Sequence, residues 1–83
     1  MSERVPVEIA WPEDAEDVEE GVVVNWFVRE GAAVRDGETI GEVQIEKVGI
    51  DVDAPVAGTV AEIAVEEDAT FARGDPLGWI EPE

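Results

Sequence analysis

Apolar and polar residues alternate along most of the chain, with the short period that is typical of β-strands. Valine dominates the apolar positions, and eight glycines and five prolines interrupt them. This pattern favours short strands joined by turns over helices. The acid-rich stretch 13–20 has no apolar stripe and is expected to form at most a helical turn. The pattern therefore predicts an all-β protein.

The strand pattern occurs twice. Residues 21–44 align with residues 58–81 at a constant offset of 37 without a gap, and each copy is predicted to form strand, turn, short strand, glycine turn and strand. The strand before each copy also repeats, 5–10 matching 48–53 at an offset of 43, so the first copy has six additional residues within 11–20. Two such units predict two four-stranded antiparallel sheets, as a sandwich or flattened β-barrel with an internal quasi-two-fold repeat.

The apolar positions change phase around the single lysine of the chain. They are odd-numbered up to Ile45 and even-numbered from Val48, which predicts a two-residue hairpin loop made of Glu46 and Lys47. Pairing Ile45 with Val48 turns the apolar side chains to one face. Glu-Lys is not a preferred sequence for such a turn, so a wider variant or local strain is expected. The repeat predicts both chain ends together at the opposite pole.

The acidic balance excludes several functions. Twenty-two acidic residues against five basic ones give a net charge of −17, which disfavours nucleic acid and anionic membranes as partners. Such repulsion destabilises the compact state and is screened by salt, which predicts a halophilic protein, the alternative being a mesophilic protein that is merely acidic. The chain has no cysteine or histidine, so thiol chemistry and serine–histidine hydrolysis are excluded and no metal site is expected.

The sequence also bears on location and on the remaining large side chains. No apolar run is long enough to span a membrane and the N-terminus lacks a signal-peptide pattern, so a cytoplasmic location is expected. Trp26 and Trp79 lie inside strand patterns and are expected to pack in or beside the core. Arg29, Arg35 and Arg73 are scattered among acids and are expected to form surface ion pairs of small value.

The lysine hairpin QIEKVGI, the stretch APVAGTV and the segment VREGAAVRDGETI resemble the biotinyl/lipoyl attachment domain family. The similarity covers about residues 5–81 and is greatest to the lipoyl domains of 2-oxoacid dehydrogenase acyltransferases. It implies one carrier domain over 1–83 with a flattened-barrel core at 5–81. It also implies that Lys47 is the covalent attachment point of lipoate, or alternatively of biotin, and that the domain itself has no catalytic residues. The chain is expected to be either a freestanding carrier or a domain cut from a larger protein, and its beginning and end favour the first.

The neighbours of Lys47 bear on the choice of cofactor. Biotinyl domains usually carry methionine on both sides of the lysine, whereas lipoyl domains usually carry an acid before it and a small residue after it. Glu46 fits the lipoyl pattern, Val48 is larger than usual, and Gln44 stands where lipoyl domains commonly have glutamate. The resemblance implies that these three residues are the ones recognised by a lipoate–protein ligase.

The resemblance also implies a function. A lipoylated lysine shuttles acyl or aminomethyl intermediates between active sites of a 2-oxoacid dehydrogenase-type complex, so the components of that complex, including dihydrolipoamide dehydrogenase, are expected partners. The alternatives are a biotin carboxyl carrier protein of a biotin-dependent carboxylase or decarboxylase, and an unmodified lipoyl-like adaptor.

In related domains the loop between the first two strands lies beside the lysine turn. Here that loop is residues 11–20, which we call the acidic loop. It is expected either to recognise basic patches on partner enzymes or to be a solvated loop that serves solubility. The residues expected to take part in recognition are Trp11, Glu16, Asp17, Glu19 and Glu20.

Overall fold

Residues 3–83, the part of the chain that the computed structural model describes, form eight β-strands in two four-stranded antiparallel sheets. The strands are β1 (Val5–Val7), β2 (Glu20–Trp26), β3 (Ala33–Val34), β4 (Thr39–Ile45), β5 (Val48–Asp53), β6 (Gly58–Ile63), β7 (Thr70–Ala72) and β8 (Gly78–Pro82). One sheet has the order β1-β8-β6-β3 and the other β5-β4-β2-β7. The predicted all-β sandwich is confirmed, and ladder hydrogen bonds do not close the two sheets into a barrel.

The only departure from strands and turns within residues 3–83 is a short 3-10 turn at Glu13–Ala15, between β1 and β2. It is the helical turn that the acid-rich stretch was expected to allow. No helix in this part of the chain is long and apolar enough to cross a membrane.

The internal repeat is visible as a quasi-two-fold relation between backbone hydrogen bonds. The N–H of Gly31 donates to the carbonyl of Val60 at 2.8 Å. At an offset of 37 in both partners, the N–H of Asp68 donates to the carbonyl of Val23, also at 2.8 Å. Gly31 and Asp68 both have positive φ, 91° and 68°, and β2 and β6 carry register shifts at equivalent positions. The predicted symmetry is therefore present in detail.

Two glutamates that are identical in the repeat connect its two halves. Glu67 accepts the backbone N–H of Trp26, at the end of β2, through Oε2 at 2.9 Å. Glu30 accepts the backbone N–H of Ile63, at the end of β6, also through Oε2 at 2.9 Å. Each copy thus satisfies a donor at the end of a long strand in the other copy, which gives these two acids a structural role.

The core lies between the two sheets and is entirely apolar among the described residues. Its largest fully buried side chains include Ile40, Ile45, Leu77 and Ile80, each with 0% exposure. Burying a side chain of this size contributes roughly 1.5–3 kcal/mol. Because Ile45 is the last residue of β4, the core reaches the base of the lysine hairpin.

The tryptophans on the strands are half-buried. Trp26 packs against the core, and its Nε1 donates to the carbonyl of Val65 at 2.8 Å. Trp79 is half-buried on β8, where it faces Pro6 and Glu62 of the neighbouring strands. The prediction that both residues pack in or beside the core is confirmed for Trp26 by its contacts and agrees with the burial of Trp79.

Ion pairs contribute little to this fold. Within residues 3–83 the structure forms one, between Arg4 and Glu62 at 3.5 Å, and both side chains are about half exposed. Such a pair is worth roughly 0–1 kcal/mol. Arg29, Arg35 and Arg73 form no ion pair in this part of the chain, so the prediction for these three residues was wrong. The first two extend from exposed turns into solvent, and Arg73 lies over an aromatic ring.

Candidate functional site

The lysine hairpin joins β4 to β5 in the predicted register. Ile45 pairs with Val48, so Glu46 and Lys47 are the two residues of the turn. Further along the ladder Val43 pairs with Ile50 and Gln44 with Gly49. The pairs Glu42–Asp51 and Gly41–Val52 follow, and all four agree with the register that the change of phase predicted. The turn therefore presents Lys47 at the end of the β4–β5 ladder, just beyond Gln44, the last residue of β4 that pairs with β2.

The turn is strained at one residue. Glu46 has φ of 56°, in the left-handed region that costs an L-residue with a side chain about 1–2 kcal/mol. The sequence predicted either a wider turn or local strain, and the structure shows a two-residue turn with the strain located at Glu46. Because Ile45 is fully buried just before it, the base of the turn is held while its tip is free to project.

Burial falls off towards the tip along β5, the edge strand of its sheet, but not along β4. Val43, Ile45 and Val52 are buried, Ile50 is half-buried, and Val48 is 42% exposed. The apolar side chains do share one face, but at Val48, on the edge strand, the core no longer covers that face. An exposed apolar residue directly after Lys47 is thus available to another protein, and so are the exposed side chains of Glu46 and Gln44.

A shallow groove of about 230 Å³ lies beside the turn. The end of the acidic loop, β2, β4, β7 and the turn itself contribute its lining residues, which are Glu20, Gly21, Val22, Gln44, Glu46 and Thr70. The groove places the last residue of the acidic loop next to the residue that precedes the lysine. Two of the regions expected to be recognised by other proteins are therefore neighbours in the structure.

Gly21 leaves room for core side chains beside this groove. A Cβ at this position would stand 2.7 Å from Cζ of Phe71 and 3.0 Å from Cγ1 of Ile45. Both atoms belong to buried side chains, so neither can move away without disturbing the core. The missing side chain makes room for Phe71 and Ile45 where β2 runs beside the base of the lysine hairpin.

The acidic loop is ordered by its apolar residues, while its acids point to solvent. Ala15 is 3% exposed, and its carbonyl accepts both the N–H of Val18 at 3.0 Å and the Nε1 of Trp11 at 2.9 Å. Trp11 is half-buried and packs against the core. The four acids expected to take part in recognition, Glu16, Asp17, Glu19 and Glu20, are all exposed.

Two residues near the loop were not predicted from the sequence to contact it. Phe71 packs edge-to-face against Trp11, with ring centroids 6.1 Å apart, and the guanidinium carbon of Arg73 lies 5.6 Å from the centroid of the Trp11 ring. The signal that could have identified them is the repeat, because Phe71 aligns with Val34 and Arg73 with Asp36. The second copy thus has a larger residue and a residue of opposite charge at the two positions that contact the longer loop of the first copy.

Lys47 has the properties that covalent attachment requires. Its side chain is exposed, and it forms no ion pair with any residue in the range 3–83. An exposed primary amine on a projecting turn can enter the active site of a modifying enzyme. The same part of the chain contains no group of acidic residues arranged to hold a metal ion.

Sequence comparisons relate most of the chain to known proteins. Residues 7–80 match the profile of a family described as "Biotin-requiring enzyme", the biotin/lipoyl family. The chain is 37% identical over 70 residues to the dihydrolipoyllysine-residue acetyltransferase component of the pyruvate dehydrogenase complex of Staphylococcus aureus. The corresponding Staphylococcus epidermidis protein is 34% identical over 70 residues. The matches cover 84% of this chain but only 16% of these relatives.

Structural comparisons extend the similarity to the whole fold. The lipoyl domain of the 2-oxoglutarate dehydrogenase complex from Azotobacter vinelandii has a TM-score of 0.72 and 32% sequence identity, over 93% of this chain and 99% of that domain. A single-chain, multi-domain long-chain acyl-CoA carboxylase has a TM-score of 0.70 over the whole of this chain and 7% of its own. At 20% identity the second similarity shows a shared fold alone.

Proposed function

Because this chain belongs to the biotin/lipoyl attachment family, we propose that it is a lipoyl carrier domain. In this proposal Lys47 bears lipoate and shuttles acyl or aminomethyl intermediates between the active sites of a 2-oxoacid dehydrogenase-type complex. The observation that carries the proposal is the position of the single lysine, exposed at the tip of a two-residue hairpin whose base is buried. The family membership predicted from the hairpin and its flanking segments is confirmed.

Lipoate is favoured over biotin by two independent features. Relatives at more than 30% identity include a dihydrolipoyllysine-residue acetyltransferase and a lipoyl domain. In addition, Glu46 and Val48 stand where biotinyl domains usually have methionine. Biotin stays the alternative because the family includes biotin-requiring enzymes. An unmodified adaptor is the third possibility, and modification of Lys47 distinguishes it from the other two.

Attachment consists of amide formation at Lys47. Nζ attacks the activated carboxyl group of lipoate, an N–C bond forms, the activating group leaves with the electron pair of its bond, and the amine loses a proton to the ligase. Gln44, Glu46 and Val48 are exposed around the amine and form the surface that we propose a lipoate–protein ligase reads. Bound lipoate supplies a dithiolane at the end of a flexible arm, and the domain supplies its delivery.

Delivery depends on the geometry of the hairpin. The fold is elongated, with extents of 38 × 19 × 18 Å, and the projecting turn lets the lysine enter a partner's cleft while the two sheets stay outside. Tethering the reacting group to a carrier raises its effective concentration at each active site that the carrier visits. The domain itself contributes no catalytic residue to the proposed reactions.

Partner selection is assigned in this proposal to the acidic loop. The exposed acids of this loop are Glu16, Asp17, Glu19 and Glu20. The loop ends in the groove beside Glu46, and the Nε1 of Trp11 donates to the carbonyl of Ala15 within the loop. Its proposed partners are components of a 2-oxoacid dehydrogenase complex, including dihydrolipoamide dehydrogenase, that present basic surface beside their active sites. A cytoplasmic location stays a prediction from the sequence.

Intact-mass measurement of the protein purified from its native cells tests the proposal. We expect a mass increase equal to a lipoyl amide, and we expect Lys47→Arg to abolish it, because arginine keeps the charge but cannot be acylated by the ligase. An increase equal to a biotinyl amide would establish the alternative carrier, and unmodified protein would leave only the adaptor. The lipoylated form is then incubated with the dehydrogenase complex from the same cells and labelled 2-oxoacids in turn, to identify the acyl group that it accepts.

A further inference from the structure

Arg73 makes three contacts with the acidic loop. Its guanidinium carbon lies 5.6 Å from the centroid of the Trp11 ring. Its Nη1 donates to the carbonyl of Glu16 at 3.1 Å, and its backbone N–H donates to the carbonyl of Glu19 at 2.8 Å. One residue thus contacts the loop at its start, middle and end.

Trp11 connects these contacts to the core. Besides meeting Arg73, the indole packs edge-to-face against Phe71 at an interplanar angle of 83° and donates to the carbonyl of Ala15. Phe71 is 4% exposed. Arg73, Trp11 and Phe71 therefore form a continuous stack from the surface of the loop to the interior, which we call the Arg73 stack.

The other half of the molecule provides a comparison within the same chain. Its loop is six residues shorter, since Trp11 aligns at an offset of 43 with Ala54, whereas Phe71 and Arg73 align at an offset of 37 with Val34 and Asp36. All three members of the stack are therefore replaced by smaller or acidic residues where no long loop has to be held. The Arg73 stack belongs to the long loop and is not a general requirement of the fold.

The loop needs such a contact because of its charge. It contains six acids within residues 11–20, and like charges at this spacing repel one another and favour an extended, mobile chain. Arg73 is the cation that contacts the loop in the described part of the chain. A guanidinium can lie over an aromatic ring and donate in its own plane at the same time, which an ammonium does less well.

We propose that Arg73 is a positioning residue that holds the acidic loop in one conformation beside Lys47, so that partner enzymes meet a preformed acidic surface. Ordering the loop before binding removes an entropic cost from each docking event. This inference rests on the proposed function, since it assigns to Arg73 the presentation of the proposed recognition surface.

The first test measures the loop itself. We expect Arg73→Gln to make amide hydrogen exchange of residues 13–20 about tenfold faster, because a cation–π contact and a hydrogen bond are lost together. The indole N–H resonance of Trp11 should shift and broaden while that of Trp26 stays unchanged. Arg73→Lys should fall between the wild type and Arg73→Gln. Arg35→Gln is the matched control, since Arg35 is exposed in the equivalent turn of the other copy and has no side-chain partner among the described residues.

The second test measures docking. The lipoylated variants are compared as substrates for reductive acylation by the dehydrogenase complex from the native cells. We expect Arg73→Gln to raise KM by about three- to tenfold with kcat nearly unchanged, since the loop acts in association and not in chemistry. A variant with Glu16, Asp17, Glu19 and Glu20 replaced by their amides should raise KM as well, and Arg35→Gln should not.

The outcomes separate the inference from the function on which it rests. Unchanged exchange in Arg73→Gln, or faster exchange with an unchanged KM while the amide variant raises KM, would overturn the role of Arg73 alone. An unchanged KM in the amide variant would overturn the acidic loop as a recognition surface and the inference with it. Failure of the lipoyl carrier itself would be evident beforehand, as absence of lipoate on the wild-type protein.

Discussion

The residue that precedes Lys47 combines a functional position with an unfavourable backbone conformation. Glu46 has φ of 56°, where glycine would be free of strain. Its side chain is exposed, and it is one of the residues that line the groove at the end of the acidic loop. Stability alone would favour glycine at this turn, which agrees with the proposal that a lipoate–protein ligase reads Glu46.

We expect Glu46→Gly to raise the free energy of unfolding by about 0.5–1 kcal/mol, because relief of the left-handed strain exceeds the entropic cost of glycine. The same change should slow lipoylation of Lys47. Urea denaturation and a timed ligase assay measure the two effects. Asp68→Gly is the matched control, since Asp68 has φ of 68° and the same charge, far along the chain from the lysine. It should gain similar stability without any effect on lipoylation, and slowed lipoylation in both variants would contradict the assignment.

At the scale of the elements, the two copies of the repeat are joined by a reciprocal exchange of side-chain acceptors. The ends of β2 and β6 each donate a backbone N–H to a glutamate of the other copy. The donors, Trp26 and Ile63, are the last residues of their strands, so each bond satisfies a donor where a strand ends. The two glutamates, Glu30 and Glu67, thus explain an identity in the repeat that alternation of apolar residues does not.

We expect Glu67→Ala to lower the free energy of unfolding by about 1 kcal/mol, since the N–H of Trp26 loses a charged acceptor at an exposed site. Glu30→Ala should have a similar effect through Ile63. Glu66→Ala removes the same charge from the neighbouring residue, which has no side-chain partner among the described residues, and should change stability by less than about 0.5 kcal/mol. Urea denaturation of the three variants provides the measurement. Equal losses of stability in Glu66→Ala and Glu67→Ala would show that the hydrogen bond from Trp26 to Glu67 makes no specific contribution.

At the scale of the whole molecule, the dominant feature is uncompensated negative charge. The net charge is −17, and the one ion pair found within residues 3–83 is exposed. Because the acids are spread over the surface with few internal partners, repulsion between them opposes folding throughout the molecule. The apolar core between the sheets therefore has to offset both chain entropy and this repulsion, and we expect stability to depend on screening by salt.

We expect the midpoint of thermal unfolding to rise with KCl between dilute buffer and molar salt, by about 4–8 °C for each kcal/mol of repulsion that is screened. Far-UV circular dichroism across a KCl series measures the change. A variant with Glu16, Asp17, Glu19 and Glu20 replaced by their amides should have a smaller salt dependence, because it carries four fewer charges. A protein equally stable in dilute buffer and in molar KCl would contradict the prediction of a halophilic fold.

Much of the architecture could be predicted from the pattern of residues along the chain. The alternation of Val43 and Ile45, followed by its reversal at Val48, defines the hairpin register, since side chains of a strand point to opposite faces in turn and a core accepts only one face. The offset of 37 likewise predicted the pairing of the two halves. These features follow from local periodicity, which can be read from the sequence without knowledge of the tertiary structure.

The contacts of polar and aromatic side chains could not be obtained in this way. Arg73 was expected to pair with an acid, but it lies over Trp11, a residue 62 positions earlier in the chain. Glu30 and Glu67 were visible only as identities in the repeat. Such contacts depend on which turns the packing of the two sheets brings together. The sequence offers several chemically similar partners for each of these side chains, so it does not indicate which one is chosen. Periodicity therefore defined the strands and placed Lys47 at a tip, whereas the packing of distant segments determined how the acidic loop is held beside it.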